Sequence, residues 1–264
     1  LALAVLLALI ALACVGPWIN PNAIETLDWA RIAAHPGLTG AHWFGTDRLG
    51  RDLYVRTLDG ARVSLAVGAM ASAISLSVGI GYGAIAGYAG GLTDRAMMRC
   101  IEILDGLPLI FFVIFLTVVV GRGPYLTLLA IGAVGWLTLA RIVRGQTLSL
   151  RQRAFIEAAI AAGAGPVRVV ARHVVPNLLG PVVAYATLTV PQIILFESFL
   201  SFLGLGVKEP HASLGTLIAQ GAGEMEAAPW MLWIPGGYLA LLLVSLHVLG
   251  DGLRDRVFST HETT

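Results

Sequence analysis

An all-α membrane protein with six transmembrane helices is the fold class this sequence predicts, and three observations predict it. Of 264 residues, 57% are hydrophobic and only 12% charged, about half the charged share of an average soluble domain. Six apolar stretches are of the length that crosses a hydrocarbon core about 30 Å thick, which takes about 20 residues at 1.5 Å each. Nearly all charged side chains fall between those stretches, where insertion into lipid tolerates them. A soluble chain this apolar would need a core larger than its length can enclose, whereas a bundle in lipid turns apolar side chains outward as well as inward.

The spans are expected at residues 1–15, 63–88, 101–120, 125–143, 177–203 and 230–249. The first is short and starts without methionine, so a cytoplasmic leader is expected to precede it; a cleaved signal peptide fits less well, because no small-residue cleavage site follows. Residues 1–264 are expected to form one transmembrane domain, with 17–61 as the first extracytoplasmic loop, 62–250 as core helices two to six, and 141–176 as a large cytoplasmic loop. Orientation follows from the arginines. The 141–172 stretch carries six against Glu157 alone, while the first loop balances its five with Glu25, Asp28, Asp47, Asp52 and Asp59. Positive side chains resist export, which puts both termini in the cytoplasm.

In the second span Ala71, Ser75, Gly79, Gly83 and Gly87 recur every four residues and lay small side chains along one stripe, a seam that admits another backbone closely. The partner of Gly79, Gly83 and Gly87 is either a helix of the same chain, another subunit, or the pathway itself. Glu197 is the only acid well inside a span, about 9 Å from its outer end at the helical rise. It either snorkels or pairs with an outer-loop arginine, or it lines the substrate path as a gate. Glu102 is expected to pair with Arg99 three residues earlier.

Several function classes are excluded. The only lysine, Lys208, sits between Val207 and Glu209, so the GxxxxGK[ST] loop that binds nucleotide phosphates is absent. Ser245 and His247 lack the framing of a nucleophile and base, and no catalytic residue is assigned. No metal site is assigned either: His35, His42 and His211 lack ligand spacing. Cys14 and Cys100 have no CxxC spacing and are expected as packing residues.

The cytoplasmic loop carries the most local order. Residues 153–162, RAFIEAAIAA, are strong helix formers with Phe155, Ile156, Ala159 and Ile160 on one face. Gly163-Ala164-Gly165-Pro166 breaks that helix: Gly163 suits a left-handed helix end, and Pro166 suits the first position of a second helix carrying Val167, Val169, Val170 and Arg172. Pro176 is expected to mark the turn into the fifth span.

At these residues the chain resembles the inner-membrane permease subunits of ATP-binding-cassette (ABC) importers, whose loop signature has the form EAAxxxG followed by a hydrophobic pair and proline. Here it stands as Glu157-Ala158-Ala159, Gly163 and Pro176. His173 replaces the usual isoleucine, and His173-Val174-Val175-Pro176-Asn177 is similar to the dipeptide, oligopeptide and nickel branch. The 44–52 segment FGTDRLGRD, the 140–146 segment ARIVRGQ, the 250–255 segment GDGLRD and the 196–206 segment FESFLSFLGLG support it, the last resembling the C-type subunit of oligopeptide permeases.

The resemblance implies the type I ABC importer permease fold in a bacterial inner membrane. It also implies a heterodimer with a second homologous permease subunit, two ATPase subunits beneath that hold ATP and Mg, and an extracytoplasmic substrate-binding protein. Lipid surrounds the chain; no cofactor is bound by it, and no nucleic acid is a partner. Phe155, Glu157, Ala158, Ala159, Ile160 and Gly163 would couple to the ATPase. Oligopeptide or dipeptide uptake is the expected activity, with nickel or another small solute as the alternative and a membrane scaffold or receptor as the rival of another class.

Overall fold

The computed structural model describes residues 1–20, 22, 24–37, 42–108, 111, 112, 114, 115, 119, 124–207, 209 and 211–259, and among them it is helical without strands. The helices are α1 (Ala2–Ile19), α2 (Leu53–Ala89), α3 (Gly91–Asp105), α4 (Pro124–Arg151), α5 (Ala154–Ala161), α6 (Pro166–Val169), α7 (Val175–Phe202), α8 (Leu214–Gly223) and α9 (Trp230–Ser259). Among the described residues four segments are long and apolar enough to cross a membrane: Ala2–Ile19, Leu53–Ala89, Tyr185–Phe202 and Trp230–Asp255. The fourth expected span, 125–143, falls within α4. The third, 101–120, begins inside α3, which stops at Asp105 on a Gly106 cap; seven of its remaining fifteen residues lie outside the described residues.

Two compact units organise the chain. The first comprises Leu1–Ala69, Leu116–Leu128 and Val190–Leu249. Its core joins Leu6, Leu9 and Ala13 of α1 to Tyr54, Leu58 and Ala61 of α2, Ile194 of α7, Leu214 of α8 and Tyr238 and Leu242 of α9. Pro17 inside α1 cannot donate to the Ala13 carbonyl. The Arg62 guanidinium does so instead, with Nε 2.6 Å from that oxygen and Nη2 on the Cys14 carbonyl. The acceptor that Pro17 frees inside α1 is thus not left bare.

The α2 helix begins at Leu53, ten residues before the expected span, and the first interhelical connection is correspondingly shorter than the expected 17–61 loop. The charges of Arg56, Asp59 and Arg62 suggested loop, but Asp52 Oδ1 accepts the Val55 N–H at 3.0 Å and starts the helix, as a cap does. Arg56 and Asp59 then lie buried in its first turns.

The second unit comprises Met70–Phe115, Leu129–Thr189 and Gly250–Thr264. Along α2 the small-residue stripe faces α4. A Cβ on Gly79 would stand 2.8 Å from Leu139 Cδ2; one on Gly83, 2.8 Å from Val143 Cβ; one on Gly87, 2.8 Å from the Arg144 carbonyl oxygen. Ser75 donates to the Gly132 carbonyl at 3.3 Å on the same stripe. The neighbour of the seam is therefore a helix of this chain. Where α2 meets α3, Asp94 receives both Nε and Nη2 of Arg144, the latter at 2.6 Å. Those donors hold the Asp94 carboxyl below the usual carboxylate range against the opposing effect of burial. Arg99 and Glu102 make the expected exposed pair at 3.0 Å. Cys14 and Cys100 are free and exposed rather than packed.

Candidate functional site

The loop after α4 is built as its sequence dictates up to Pro166. Arg153 precedes α5 with extended backbone, and Glu157 lies in the first turn, where the helix dipole favours a negative charge. At the other end Ala162 donates to the Ala158 carbonyl at 2.9 Å, Gly163 to Ile160 at 2.9 Å and Ala164 to Ala159 at 3.0 Å. With Gly163 at φ +86°, the last two bonds make a Schellman end, which satisfies carbonyls a helix otherwise leaves open. Gly165 and Pro166 then start α6.

Pro176 departs from expectation. The chain does not turn there: residues 170–174 form a π-helical segment, and helical backbone continues from Pro166 to Phe202. A proline at this position removes one N–H and crowds the carbonyl four residues back, and the wider π turn accommodates both. The Val175 N–H reaches back to Val170, and Asn177 Nδ2 donates to the His173 carbonyl at 2.6 Å.

The apolar face of α5 divides. Ile156 is fully buried among Ala84, Leu139, Val143, Val169, Val174, Leu178 and Val182. Ala159 is half-buried, while Phe155, Glu157, Ala158, Ile160 and Gly163 are exposed. Successive helical residues are about 100° apart. That spacing puts Ile156 and Ala159 at the centre of the arc, facing the core, and Phe155 and Ile160 on its two flanks. Phe155 remains 43% and Ile160 47% exposed. The loop thus presents two apolar side chains, one carboxylate and one small-residue gap on a helix fixed from behind. Ile156 is the residue the list of contact candidates lacked, and its central place in the apolar arc was the available signal.

Glu197 lies apart from this loop, in the first unit. Its carboxylate is fully buried and accepts from Ser64 at 2.8 Å and Ser201 at 2.7 Å, with Ser198 at 3.5 Å. Ser64 in turn accepts the Leu214 N–H at 3.2 Å. The partner expected from the sequence was an arginine or the membrane surface; hydroxyls from α2 and from its own helix take that place. The arrangement ties α2, α7 and the start of α8 together. In the last span Ser245 is buried, and His247 is exposed, its Nδ1 donating to the Leu243 carbonyl at 3.0 Å. Among the described residues, His, Cys, Asp and Glu form no cluster that could hold a metal ion.

A second polar cluster surrounds the start of α2. Asp47 accepts the backbone N–H groups of Leu49 and Arg51, and its Oδ2 accepts Arg51 Nε at 2.6 Å. Asp52 Oδ2 holds Asn22 Nδ2 at 3.1 Å and His42 Nδ1 at 2.8 Å. These contacts give the FGTDRLGRD segment a structural meaning that its spacing alone did not.

The family model described as "binding-protein-dependent transport system inner membrane component" matches residues 79–259. The chain is 50% identical over 254 residues to the oligopeptide transport system permease protein OppC of Haemophilus influenzae, covering 96% of this chain and 82% of that one. It is 49% identical to OppC of Escherichia coli K12, over 95% and 83%. To the dipeptide transport system permease protein DppC of Bacillus subtilis it is 41% identical, over 95% and 78%. A chain of the MetNI methionine ABC transporter, solved in inward-facing conformations, has a TM-score of 0.63 and 21% identity over 78% of this chain and 96% of that one, which shows a shared fold.

Proposed function

Because this chain belongs to the family of binding-protein-dependent transport system inner membrane components, we propose that it forms half of the translocation pathway of an ATP-driven importer of oligopeptides or dipeptides. A second, homologous permease chain would supply the other half. Two ATPase chains, carrying ATP and Mg, would drive it from the cytoplasmic side, and an extracytoplasmic binding protein would deliver the peptide. In this reading both termini and the α5 loop lie in the cytoplasm, in keeping with the arginine distribution.

The observation that carries the reading is the construction of α5. A helix that transmits force needs an outward contact and a rigid connection behind it. Phe155, Glu157, Ala158 and Ile160 supply the contact: apolar flanks for burial, a carboxylate for a charge-assisted bond, and an alanine for close approach. Ile156, packed on Val143 of α4 and on Val174 and Leu178 beside and within α7, supplies the connection. When the ATPase chains close on ATP, α5 is carried with them, and α4 and α7 move as its continuation. Peptide as the solute is supported by the relatives named for oligopeptide and dipeptide transport.

The test is reconstitution. The chain, copurified with its permease partner and ATPases in proteoliposomes, is expected to accumulate labelled peptide when ATP and the binding protein are both supplied. Peptide accumulation driven by an ion gradient without any ATPase would refute the proposal.

A further inference from the structure

Around the start of α2 two guanidinium groups are buried with more hydrogen-bond donors than the acceptors around them satisfy. The Arg56 side chain is 1% exposed and that of Arg51 6%, beside Asp47 at 2%. Asp47 is already committed to Arg51 Nε and to two backbone donors; Arg56 Nε comes within 3.5 Å of it without a hydrogen bond. The neighbouring acids are taken elsewhere, Asp52 by His42 and Asn22 and Asp59 by His211 at 3.1 Å. Glu209 supplies the second negative charge from a half-exposed position, with Oε1 3.1 Å from Arg51 Nη1 and 4.0 Å from Arg56 Nη2. Gln220 Oε1 accepts from Arg56 Nη2 at 3.4 Å. Among the described residues, three buried donors, Arg51 Nη2 and Arg56 Nε and Nη1, have no hydrogen-bond partner.

Buried polar groups are paired as a rule, and unpaired guanidinium donors more costly than most. Within 4.0 Å, among the described residues, the two guanidinium groups meet the buried carboxylate of Asp47 and the half-exposed one of Glu209, so the place that Glu209 fills from the edge takes one single negative charge. The group already at the edge of the cluster is a carboxylate, whose two oxygens match the planar fork of arginine. We infer that Arg51 and Arg56 form a receptor for the terminal carboxylate of the transported peptide, with the Glu209 carboxylate as the exchangeable counter-ion that it displaces. This rests on the peptide reading above and on the extracytoplasmic placement of the segment before α2. An incoming carboxylate that displaces Glu209 meets Arg51 Nη1 and gains the unpaired donors, which Glu209, reaching from the edge, does not satisfy.

The test uses the whole permease–ATPase complex in lipid nanodiscs without the binding protein, so that only the membrane complex reads the ligand. Trialanine and trialanine amide are titrated by calorimetry, with dimethyl phosphate as the phosphodiester control. Trialanine is expected to bind and the other two not. Glu209→Gln, a change at a half-exposed position that removes the competing charge, is expected to tighten trialanine binding about tenfold, the worth of one charge-assisted hydrogen bond. Arg56→Gln is expected to abolish it. Should Arg56→Gln fail to fold, Glu209→Gln decides alone: equal binding of acid and amide, binding of dimethyl phosphate, or unchanged affinity overturns the receptor. Peptide uptake by the complete system is measured in parallel. Uptake with no acid–amide difference removes the receptor and leaves the transport reading standing, whereas no peptide uptake removes both.

Discussion

Replacing Gly163 by leucine tests the coupling loop with little collateral damage. At φ +86° an L side chain costs about 1–2 kcal/mol of backbone strain, and since a Cβ there meets nothing within 4 Å, no steric term is added. The chain's alternative is to abandon the Schellman end and lose the bonds from Gly163 and Ala164 to Ile160 and Ala159, each worth about 1 kcal/mol net. The two costs are comparable, so the variant divides between loop conformations that the wild type keeps apart. A shift of about 1.4 kcal/mol changes such a ratio tenfold. Ile156 still anchors α5, so insertion and unfolding temperature should stay near wild type and ATP hydrolysis should persist. Peptide taken up per ATP should fall several-fold, and Gly163→Asn, tolerated in left-handed backbone, should retain most of it. Both rates are measured on the same proteoliposomes. Wild-type uptake per ATP in the leucine variant, or an equal loss in the asparagine variant, would refute the reasoning.

Three further outcomes follow from the packing. Ile156→Ala should destabilise the chain by about 2–5 kcal/mol, measured as thermal unfolding in detergent, whereas Ile160→Ala should leave stability nearly unchanged and weaken retention of the ATPase chains on copurification. Gly83→Val, which drives a side chain into Val143 and Arg144, should cost about 1–3 kcal/mol; Gly81→Ala, with nothing within 4 Å, should be neutral or gain up to about 1 kcal/mol of helix propensity. Asp94→Asn should cost about 1–2 kcal/mol at neutral pH, the lower part of the range for charged hydrogen bonds because Arg144 is partly exposed. The folded carboxyl is depressed, so its contribution is complete above the ordinary value of about 3.9 and disappears as pH falls through the folded value. The difference between wild type and Asp94→Asn in unfolding temperature should therefore shrink on acidification below about pH 4.

Local rules made α5 legible. Its helix formers, the Gly163 stop and the Pro166 start are decided within a few residues, and the structure follows them. Where the deciding contacts come from far along the chain, the sequence misled. Arg56 and Asp59 looked like loop charges, and two of the partners that hold them, Gln220 and His211, lie more than 150 residues away. The buried centre of α5 was marked by the place of Ile156 in the apolar arc, but the residues that cover it, Ala84, Leu139 and Leu178 among them, lie on other helices. Pro176 was expected to turn the chain because proline breaks α-helix; a π segment gives it another solution that spacing does not announce. Glu197 was expected to snorkel, to pair with an outer-loop arginine or to line the substrate path, and its serine partners Ser64 and Ser201 carry no charge signal at all.

The serine cage of Glu197 also bears on biogenesis. A carboxylate carried into the bilayer on a bare helix costs about 2.5–3.5 kcal/mol at the centre on insertion scales, and less nearer the surface, where Glu197 is expected. Here Ser201 sits one turn further along the same helix and donates to Glu197, so part of that cost is offset as soon as α7 is wound. Ser64 belongs to a helix synthesised earlier and donates to Glu197 once α2 and α7 meet, whereas the Leu214 amide that engages Ser64 is synthesised last. Serine-to-alanine changes at 64 and 201 should therefore appear first as slow or failed insertion, and as rapid degradation in the cell, before any defect in transport by the molecules that do assemble.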